Sequence, residues 1–173
     1  MASPEMRDPN FSRAVVLMLE HNEEGALGLT LNRPGELDVI EVLPQWGDLL
    51  CIPMTVFAGG PVEREMAVGL ARRPGVEHRE GWHPVLEGVG VIDLSLEPPE
   101  VEGVEDLRVF SGYAGWGASQ LELELVIGSW FVIDGDTADA FDSHPDTLWQ
   151  RVLARQGGHA AIYALYPEDV RLN

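Results

Sequence analysis

The chain contains no lysine: all 11 of its basic residues are arginine, among 173 residues in total. A lysine amine is needed for a Schiff-base nucleophile and for the attachment of pyridoxal phosphate, and it completes the phosphate-binding loop of P-loop nucleotidases. The sequence therefore excludes these three kinds of site, and with them several large classes of enzyme.

Cysteine is almost absent, since Cys51 is the only one. A single thiol can form neither an internal disulfide nor a Cys-x-x-Cys redox pair. The neighbouring Leu49, Leu50 and Ile52 are apolar, which favours a small buried side chain over a reactive thiolate. We expect no thiol chemistry at this position.

Long apolar runs are also missing. The longest, Ala14–Leu19, is far shorter than the ~20 residues that a membrane-spanning helix requires. Glu5, Arg7 and Asp8 place charges in the first residues of the chain, so the pattern of a signal peptide is not present. We expect a cytoplasmic protein that has no membrane partner.

Negative charge is abundant: 29 acidic residues against the 11 arginines give a formal net charge of −18 at pH 7. Proteins bind phosphate backbones through basic side chains that displace counterions, and a field of this sign repels DNA. We therefore expect no direct binding to nucleic acid. The partner classes that remain are an unknown protein and a small-molecule ligand.

Short apolar segments separated by polar turns indicate the fold class. Arg13–Leu19 and Ala26–Leu31 are predicted to form a hairpin, and Asp38 is predicted to cap a short helix. Ser143–Asp146 opens the clearest helix. Further strands are predicted at Pro53–Phe57, Met66–Leu70, Val85–Leu94, Leu107–Phe110 and Ser129–Ile133. This pattern predicts a single α+β domain over residues 1–173, with a twisted, mixed, largely antiparallel sheet that is partly closed and flanked by helices.

A segment rich in glycine and aromatic residues, Gly112–Gly117, follows one of these predicted strands. Glycine tolerates positive φ and close backbone approach, so the segment is predicted to form a tight loop that displays its two aromatic rings. Ser119 and Glu122 have the spacing of a capping box. A helix is therefore predicted to begin at Gln120.

Several motifs resemble those of the bacterial YqgE/AlgH family. They are Met6-x-Asp8-Pro9-Asn10-Phe11, Glu20-His21-Asn22 with Gly25-x-x-Gly28, Asn32-Arg33-Pro34, Gly59-Gly60-Pro61-Val62, and Gly112-Tyr113-Ala114-Gly115-Trp116-Gly117-x-x-Gln120-Leu121-Glu122-x-Glu124. The resemblance extends from Met6 to the helix that carries Trp149. It implies a single α+β domain around a twisted, partly closed sheet, with an unassigned activity. One branch of the family also implies a role in regulating transcription for alginate synthesis.

Three glycine-bearing turns, each after a predicted strand, indicate a binding pocket. Strand ends can converge at one edge of a sheet, and the helix that starts after Ser119 would direct free N–H groups to that edge. Arg33 can bind a carboxylate or phosphate through two hydrogen bonds, and aromatic rings can stack on a flat ligand. The predicted pocket residues are Asn32, Arg33, Gly59, Gly60, Tyr113, Gly115, Trp116 and Gln120. The alternative is that these residues form packing corners.

No catalytic or metal-binding set is predicted. His78 and His83, with Glu77 and Glu80 beside them, lack a metal-ligand spacing, and Ser119 is better explained as a helix cap than as a nucleophile. We predict a regulatory or binding module without cofactor or metal. It would act through a small-molecule or protein partner and affect transcription only indirectly. The alternative is an enzyme that acts on a small anionic substrate in a pocket lined by the glycine-aromatic segment.

Overall fold

The computed structural model describes residues 1–75, 81–101 and 103–166. Within these residues the chain forms eight strands, four α-helices and four short 3-10 helices. The strands are β1 (Val16–Asn22), β2 (Gly25–Thr30), β3 (Pro34–Asp38), β4 (Thr55–Ala58), β5 (Val62–Arg72), β6 (Trp82–Leu86), β7 (Val89–Ile92) and β8 (Asp106–Gly117). The α-helices are α1 (Val39–Val42), α2 (Gln120–Val126), α3 (Leu148–Gln156) and α4 (Gly158–Tyr163). The 3-10 helices are Pro44–Leu49, Pro98–Glu100, Thr137–Phe141 and Pro145–Thr147.

Strand β8 is the centre of a mixed, mostly antiparallel sheet. The hydrogen-bonded order is β1-β2-β8-β5-β7-β6. β8 also pairs in parallel with β4, which in turn carries β3. β1 and β6 stand at the two ends of the order, yet they contact each other. The sheet is therefore partly closed, and the predicted α+β class is confirmed.

Local signals explain where several elements begin and end. Gly25, at φ +147, follows the turn of the β1–β2 hairpin and pairs with Asn22. The Asp38 carboxylate accepts the Ile40 N–H at 3.1 Å, so this residue caps α1 as predicted. Gly157, at φ +70, ends α3, because glycine adopts the left-handed region without strain.

The predicted glycine-aromatic loop is wrong, because Gly112–Gly117 is the second half of β8. Residues 25–28 of β2 pair in register with residues 114–117, and this ladder keeps the segment extended. Gly112, at φ +67, makes a local break, and the register of β5 shifts opposite to it. The glycines of this segment allow close pairing of strands and do not form a turn.

Three further local predictions differ from the structure. Ser119 precedes α2 as expected, but its φ is +61 and its hydroxyl caps no N–H, because a capping side chain needs an extended backbone. The segment Ser129–Ile133 forms only an isolated bridge, between Trp130 and Ala2, since the first residues of the chain are its only pairing partner among the described residues. Val85–Leu94 is divided between β6 and β7 by a two-residue turn.

The hydrophobic core lies in three clusters around the sheet. The largest holds α3 against the strands, where Trp149 is 1% exposed and its indole donates to the Ala2 carbonyl at 2.9 Å. Phe57 and Phe110, from the neighbouring β4 and β8, pack in the same cluster. A smaller cluster lies under α2 and contains Leu121. α2 and α3 are therefore attached to the sheet through separate apolar clusters.

Gly59 and Gly60 allow one backbone to lie directly against another beside β8. The Thr30 N–H donates to the Gly59 carbonyl at 2.8 Å, so β2 reaches this turn as well. A Cβ on Gly59 would lie within 3.0 Å of the Gly112 backbone, and a Cβ on Gly60 within 3.0 Å of the Tyr113 backbone. Real Cβ atoms do not approach backbone so closely. These two glycines therefore fill the space between the strands with main chain alone.

We expect Gly60→Ala to lower the free energy of unfolding by more than about 3 kcal/mol, or to prevent folding, because the added methyl group would force the β8 backbone to move. Gly47→Ala is the matched control, since a Cβ there meets nothing within 4 Å. It should change stability by less than about 1 kcal/mol. Urea unfolding followed by tryptophan fluorescence measures both. Equal losses in the two variants would contradict the close backbone packing at Gly60.

Candidate functional site

The carboxylate of Glu124 joins α2 to the sheet. Its Oε2 accepts the indole N–H of Trp116 at 3.0 Å and that of Trp130 at 2.7 Å. Its Oε1 accepts the side-chain amide of Gln120 at 2.9 Å, and the Gln120 oxygen accepts the Gly117 N–H at 3.0 Å. Hydrogen bonds to an ionised acceptor are about twice as strong as neutral ones. Trp116 and Gln120 are therefore already engaged in holding α2.

Phe11 completes an aromatic cluster beside this carboxylate. Its ring stacks on Trp116 with a centroid distance of 6.0 Å and meets Trp130 edge-on at 5.4 Å. The two indoles meet edge-on at 5.5 Å. Trp116 is only 6% exposed, so little of its ring is left for a ligand to stack on.

Asn32 and Arg33 hold the segment that enters β1. The Asn32 side-chain amide accepts the Val15 N–H at 2.9 Å and donates to the Arg13 carbonyl at 2.9 Å. It thus makes the two hydrogen bonds to this segment that the backbone of a neighbouring strand would otherwise make. The Arg33 guanidinium donates to the carbonyls of Ser12 and of Asn32. Burial lowers the pKa of Arg33, because the charged form loses water. Arg33 has no carboxylate within 4.0 Å among the described residues.

The structure brings together only part of the predicted pocket. Arg33 and Gly59 adjoin, because the Ala58 N–H donates to the Arg33 carbonyl at 2.8 Å. Gly60 contacts β8 at Tyr113 through the backbone. Between these turns main-chain atoms are in direct contact, at Gly59 with Gly112 and at Gly60 with Tyr113. Gln120 lies at the other end of the region, on α2.

Three of the predicted residues line an open groove beside the β1–β2 hairpin. Tyr113, Gly115 and Trp116 form one wall of this groove, which has a volume of about 430 Å³. Glu20 and Glu24 lie on the hairpin side. Two carboxylates at the rim repel an anion and attract a cation, so the groove does not match the anionic ligand that the sequence suggests.

A different cavity, which the sequence did not reveal, lies under α2. This α2 cavity has a volume of about 280 Å³ and is lined mainly by apolar side chains. β1 contributes Val16, Leu17 and Met18, and β8 contributes Trp116. The other apolar lining residues are Met1, Val15, Leu31, Leu86, Leu121, Leu125, Trp130, Phe131, Val132, Ile133, Ala140 and Val152. Such a volume, close to the lower limit of known ligand pockets, accommodates a small apolar molecule.

Two aspartates border the α2 cavity. Asp139 is 7% exposed and accepts two hydrogen bonds from Arg155, at 2.9 and 2.5 Å, so its charge is compensated. These bonds raise the pKa of Arg155. Asp136 is exposed, and one of its oxygens caps the Thr137–Phe141 helix by accepting the Ala138 N–H at 2.9 Å. Asp136 thus supplies an acceptor and a negative charge at the cavity mouth.

One sequence signal did point toward this cavity. The continuous apolar run Ala14–Leu19 is typical of a strand that is buried on both faces, which requires another element to cover its second face. In the structure Val16, Leu17 and Met18 are half-buried, and α2 with residues 131–133 covers them incompletely. The cavity is the space that remains. Only the tertiary arrangement shows its size.

The other candidate groups form no reactive set. His21 and Glu122 make a solvent-exposed pair at 2.6 Å, and this hydrogen bond lowers the pKa of Glu122. Burial raises the pKa of the Cys51 thiol. No cluster of three potential metal ligands occurs in the part of the chain that the structure describes, and His78, with Glu77 and Glu80, lies outside that part. No helix among the described residues is long and apolar enough to cross a membrane.

Comparison with known proteins gives consistent matches along the chain. The family described as AlgH-like, DUF179, matches residues 1–161. The UPF0301 protein SCO2948 of Streptomyces coelicolor is 47% identical, in an alignment that covers all of this chain and 92% of that protein. A UPF0301 protein of Thermobifida fusca is 41% identical with the same coverage of both chains.

Two solved structures are similar in fold. The crystal structure of protein DIP2367 from Corynebacterium diphtheriae superposes with a TM-score of 0.90 at 27% identity, over 96% of this chain and 89% of that one. The solution structure of the AlgH protein from Pseudomonas aeruginosa superposes with a TM-score of 0.68 at 31% identity, over 98% of this chain and 93% of that one.

We expect Glu124→Ala to lower the free energy of unfolding by about 2–4 kcal/mol, because two buried indole N–H groups lose their acceptor. Glu122→Ala, two residues away on the same helix, removes only the exposed contact with His21. It should leave the urea midpoint close to that of the wild type, because an exposed ion pair contributes little to stability. Urea unfolding compares the two variants. If they lose equal stability, the indole–carboxylate contacts do not hold α2.

We expect Arg33→Ala to lower the free energy of unfolding by about 1–3 kcal/mol, because the half-buried carbonyls of Ser12 and Asn32 lose their donor. Arg64→Ala is the control, since Arg64 is exposed and makes a longer contact, 3.4 Å, to Asn10. Thermal unfolding in the presence and absence of sulfate tests both roles of Arg33. Stabilisation of the wild type by sulfate that Arg33→Ala abolishes would support the predicted anion site; unchanged stability of Arg33→Ala would contradict the structural role.

Proposed function

The chain belongs to the AlgH-like family, and from that premise we propose that it is a cytoplasmic binding module that acts through a small-molecule or protein partner. The observation that carries the proposal is the α2 cavity of about 280 Å³. Its walls are side chains of a strand, a helix and the segment after that helix, so a bound molecule would contact three separate parts of the fold. Binding there stabilises the arrangement of α2 on the sheet.

The chemistry of the lining supports one class of ligand. The walls are aliphatic and aromatic, which suits a compact apolar body such as a ring system or a short branched chain. Asp136 places negative charge at the mouth, and the whole chain carries −18. An uncharged or cationic polar end is therefore favoured, while a carboxylate or phosphate end is repelled.

Any effect on transcription would be indirect. Several arginines of the described chain are used inside the protein: Arg72 pairs with Asp106, Arg151 with Asp142, and Arg155 with Asp139. Few cations are then left to displace counterions from DNA. We therefore propose that a regulatory role passes through a ligand or another protein and does not require contact with nucleic acid.

The second candidate function is that of an enzyme that binds a small anionic substrate at Arg33. The half-buried guanidinium, which lacks a carboxylate partner among the described residues, is the observation in its favour. The carboxylates of Glu20 and Glu24 at the groove of Tyr113 and Trp116 weigh against the anionic substrate in that groove. The eight-residue pocket therefore stays a prediction, and the α2 cavity is the site we favour.

Gly135→Leu tests the cavity directly. A Cβ on Gly135 meets nothing within 4 Å, and this glycine lines the cavity, so a leucine there is expected to block the cavity without disturbing the packed core. The probe is uncharged N-phenyl-1-naphthylamine, whose fluorescence rises in an apolar site. We expect the wild type to bind it and Gly135→Leu to bind at least about tenfold more weakly.

Gly47→Leu is the matched control, because its Cβ is equally unobstructed and Gly47 does not line the cavity. It should bind the probe as the wild type does. Anionic 8-anilinonaphthalene-1-sulfonate should bind the wild type more weakly than the uncharged probe. Equal binding of the uncharged probe by both variants, or a preference of the wild type for the anionic dye, would contradict the proposal.

A further inference from the structure

The helix α2 has two apolar faces, and the outer one is uncovered in the monomer. Leu121 and Leu125 point toward the cluster and cavity beneath the helix. Leu123 is 64% exposed, Val126 83% and Ile127 75%. Positions i, i+3 and i+4 lie on one side of a helix, so these three side chains form a continuous apolar surface. We call Leu123, Val126 and Ile127 the outer face of α2.

Single exposed apolar residues are ordinary, but a group of three on so short a helix is not. A surface helix is expected to carry polar residues on the side opposite to its buried face. Here the exposed polar residues are Gln120, which donates to Glu124, and Glu122, which pairs with His21. Glu124 itself binds the two indoles. Contiguous apolar surface of this kind marks an interaction site.

The charge around this face indicates what binds there. Between Arg108 and Arg151 the sequence contains no arginine or lysine but seven acidic residues. Glu122 belongs to this stretch, and its exposed carboxylate lies on α2 itself, next to Leu123 in sequence and one turn before Val126. A partner that matches the surface must combine an apolar face with positive charge.

We propose that the outer face of α2 binds a basic amphipathic segment of another protein. The partner places its apolar side chains on Leu123, Val126 and Ile127 and its arginines or lysines near Glu122, in the negative field of a chain that carries −18. A second copy of this chain fits less well, because two copies that each carry −18 repel each other. An anionic lipid surface is repelled for the same reason.

This inference does not depend on the ligand of the α2 cavity, because it rests on the opposite face of the helix. Either proposal can fail alone. If both hold, one helix contacts the ligand on its inner side and the partner on its outer side, which gives a direct route from ligand to partner.

The test uses an 18-residue helical peptide of leucine and lysine with its leucines on one face. Binding is measured by fluorescence anisotropy at physiological salt. A peptide in which serine replaces every leucine controls for charge alone, and one in which glutamate replaces every lysine controls for apolar contact alone. We expect the leucine–lysine peptide to bind the wild type at least about tenfold more tightly than either control.

The protein variant combines Leu123→Ser, Val126→Ser and Ile127→Ser. We expect it to bind the leucine–lysine peptide at least about tenfold more weakly than the wild type. The matched control combines Ile162→Ser and Leu165→Ser, because Ile162 is 56% and Leu165 83% exposed at another helix, α4, and the turn after it. The control should bind as the wild type does. Circular dichroism checks that both variants remain folded.

Three outcomes would overturn the proposal. Equal loss of peptide binding in the two variants would show that the peptide binds to exposed apolar residues in general and not to the outer face of α2. Equal binding of the leucine–glutamate peptide would remove the role of charge. A wild-type dimer in sedimentation velocity that the α2 variant converts to a monomer would show that a second copy occupies this face.

Discussion

Close backbone contact along β8 is the constraint on which the rest of the structure depends. This strand pairs with β2, β4 and β5, and such crowding is possible because its neighbours present glycine at the contact points. Gly59 and Gly60 bring the end of β4 against the middle of β8, and Gly25 brings β2 against its end. A methyl group at any of these positions would separate strands that are now joined.

The position of α2 follows from that strand. β8 ends at Gly117, and α2 begins three residues later, so the helix must fold back over the sheet close to the end of β8. Glu124 then fixes it there through the indoles of Trp116 and Trp130. Because α2 is held at these points and its lower face meets β1 only partly, an apolar space remains beneath it. The α2 cavity is thus a consequence of how the helix is attached.

Much of the fold could be predicted from local patterns. The β1–β2 hairpin, the Asp38 cap and helix α3 depend on neighbouring residues, and their signals are visible in the chain. The α+β class follows from the number and length of the apolar segments. The segment Gly112–Gly117 was misread because glycine favours a turn in isolation, whereas here β2 supplies a pairing partner distant in sequence. In such cases tertiary contacts override the local conformational preference of the residues.

The candidate site was harder to predict for a related reason. Asn32, Arg33, Trp116 and Gln120 carry the chemistry of a binding site, but the structure commits their hydrogen bonds to holding the fold. The α2 cavity is lined by ordinary apolar residues that are spread along the chain from Met1 to Val152, and no short motif marks them. The sequence shows which side chains are chemically able to bind a ligand. Whether they are free to bind it depends on the contacts that they make in the folded protein.

Amide chemical shifts of the isotopically labelled protein, recorded during titration with an uncharged naphthalene compound, test the central claim most directly. The account predicts saturable changes at residues 16–18, 121–125 and 131–136, which line the α2 cavity, and no changes at residues 32–33 and 59–60, where backbone fills the space. Saturable changes confined to residues 32–33, 59–60 and 113–116 would contradict it, because the ligand would then occupy the junction of the glycine-bearing turns.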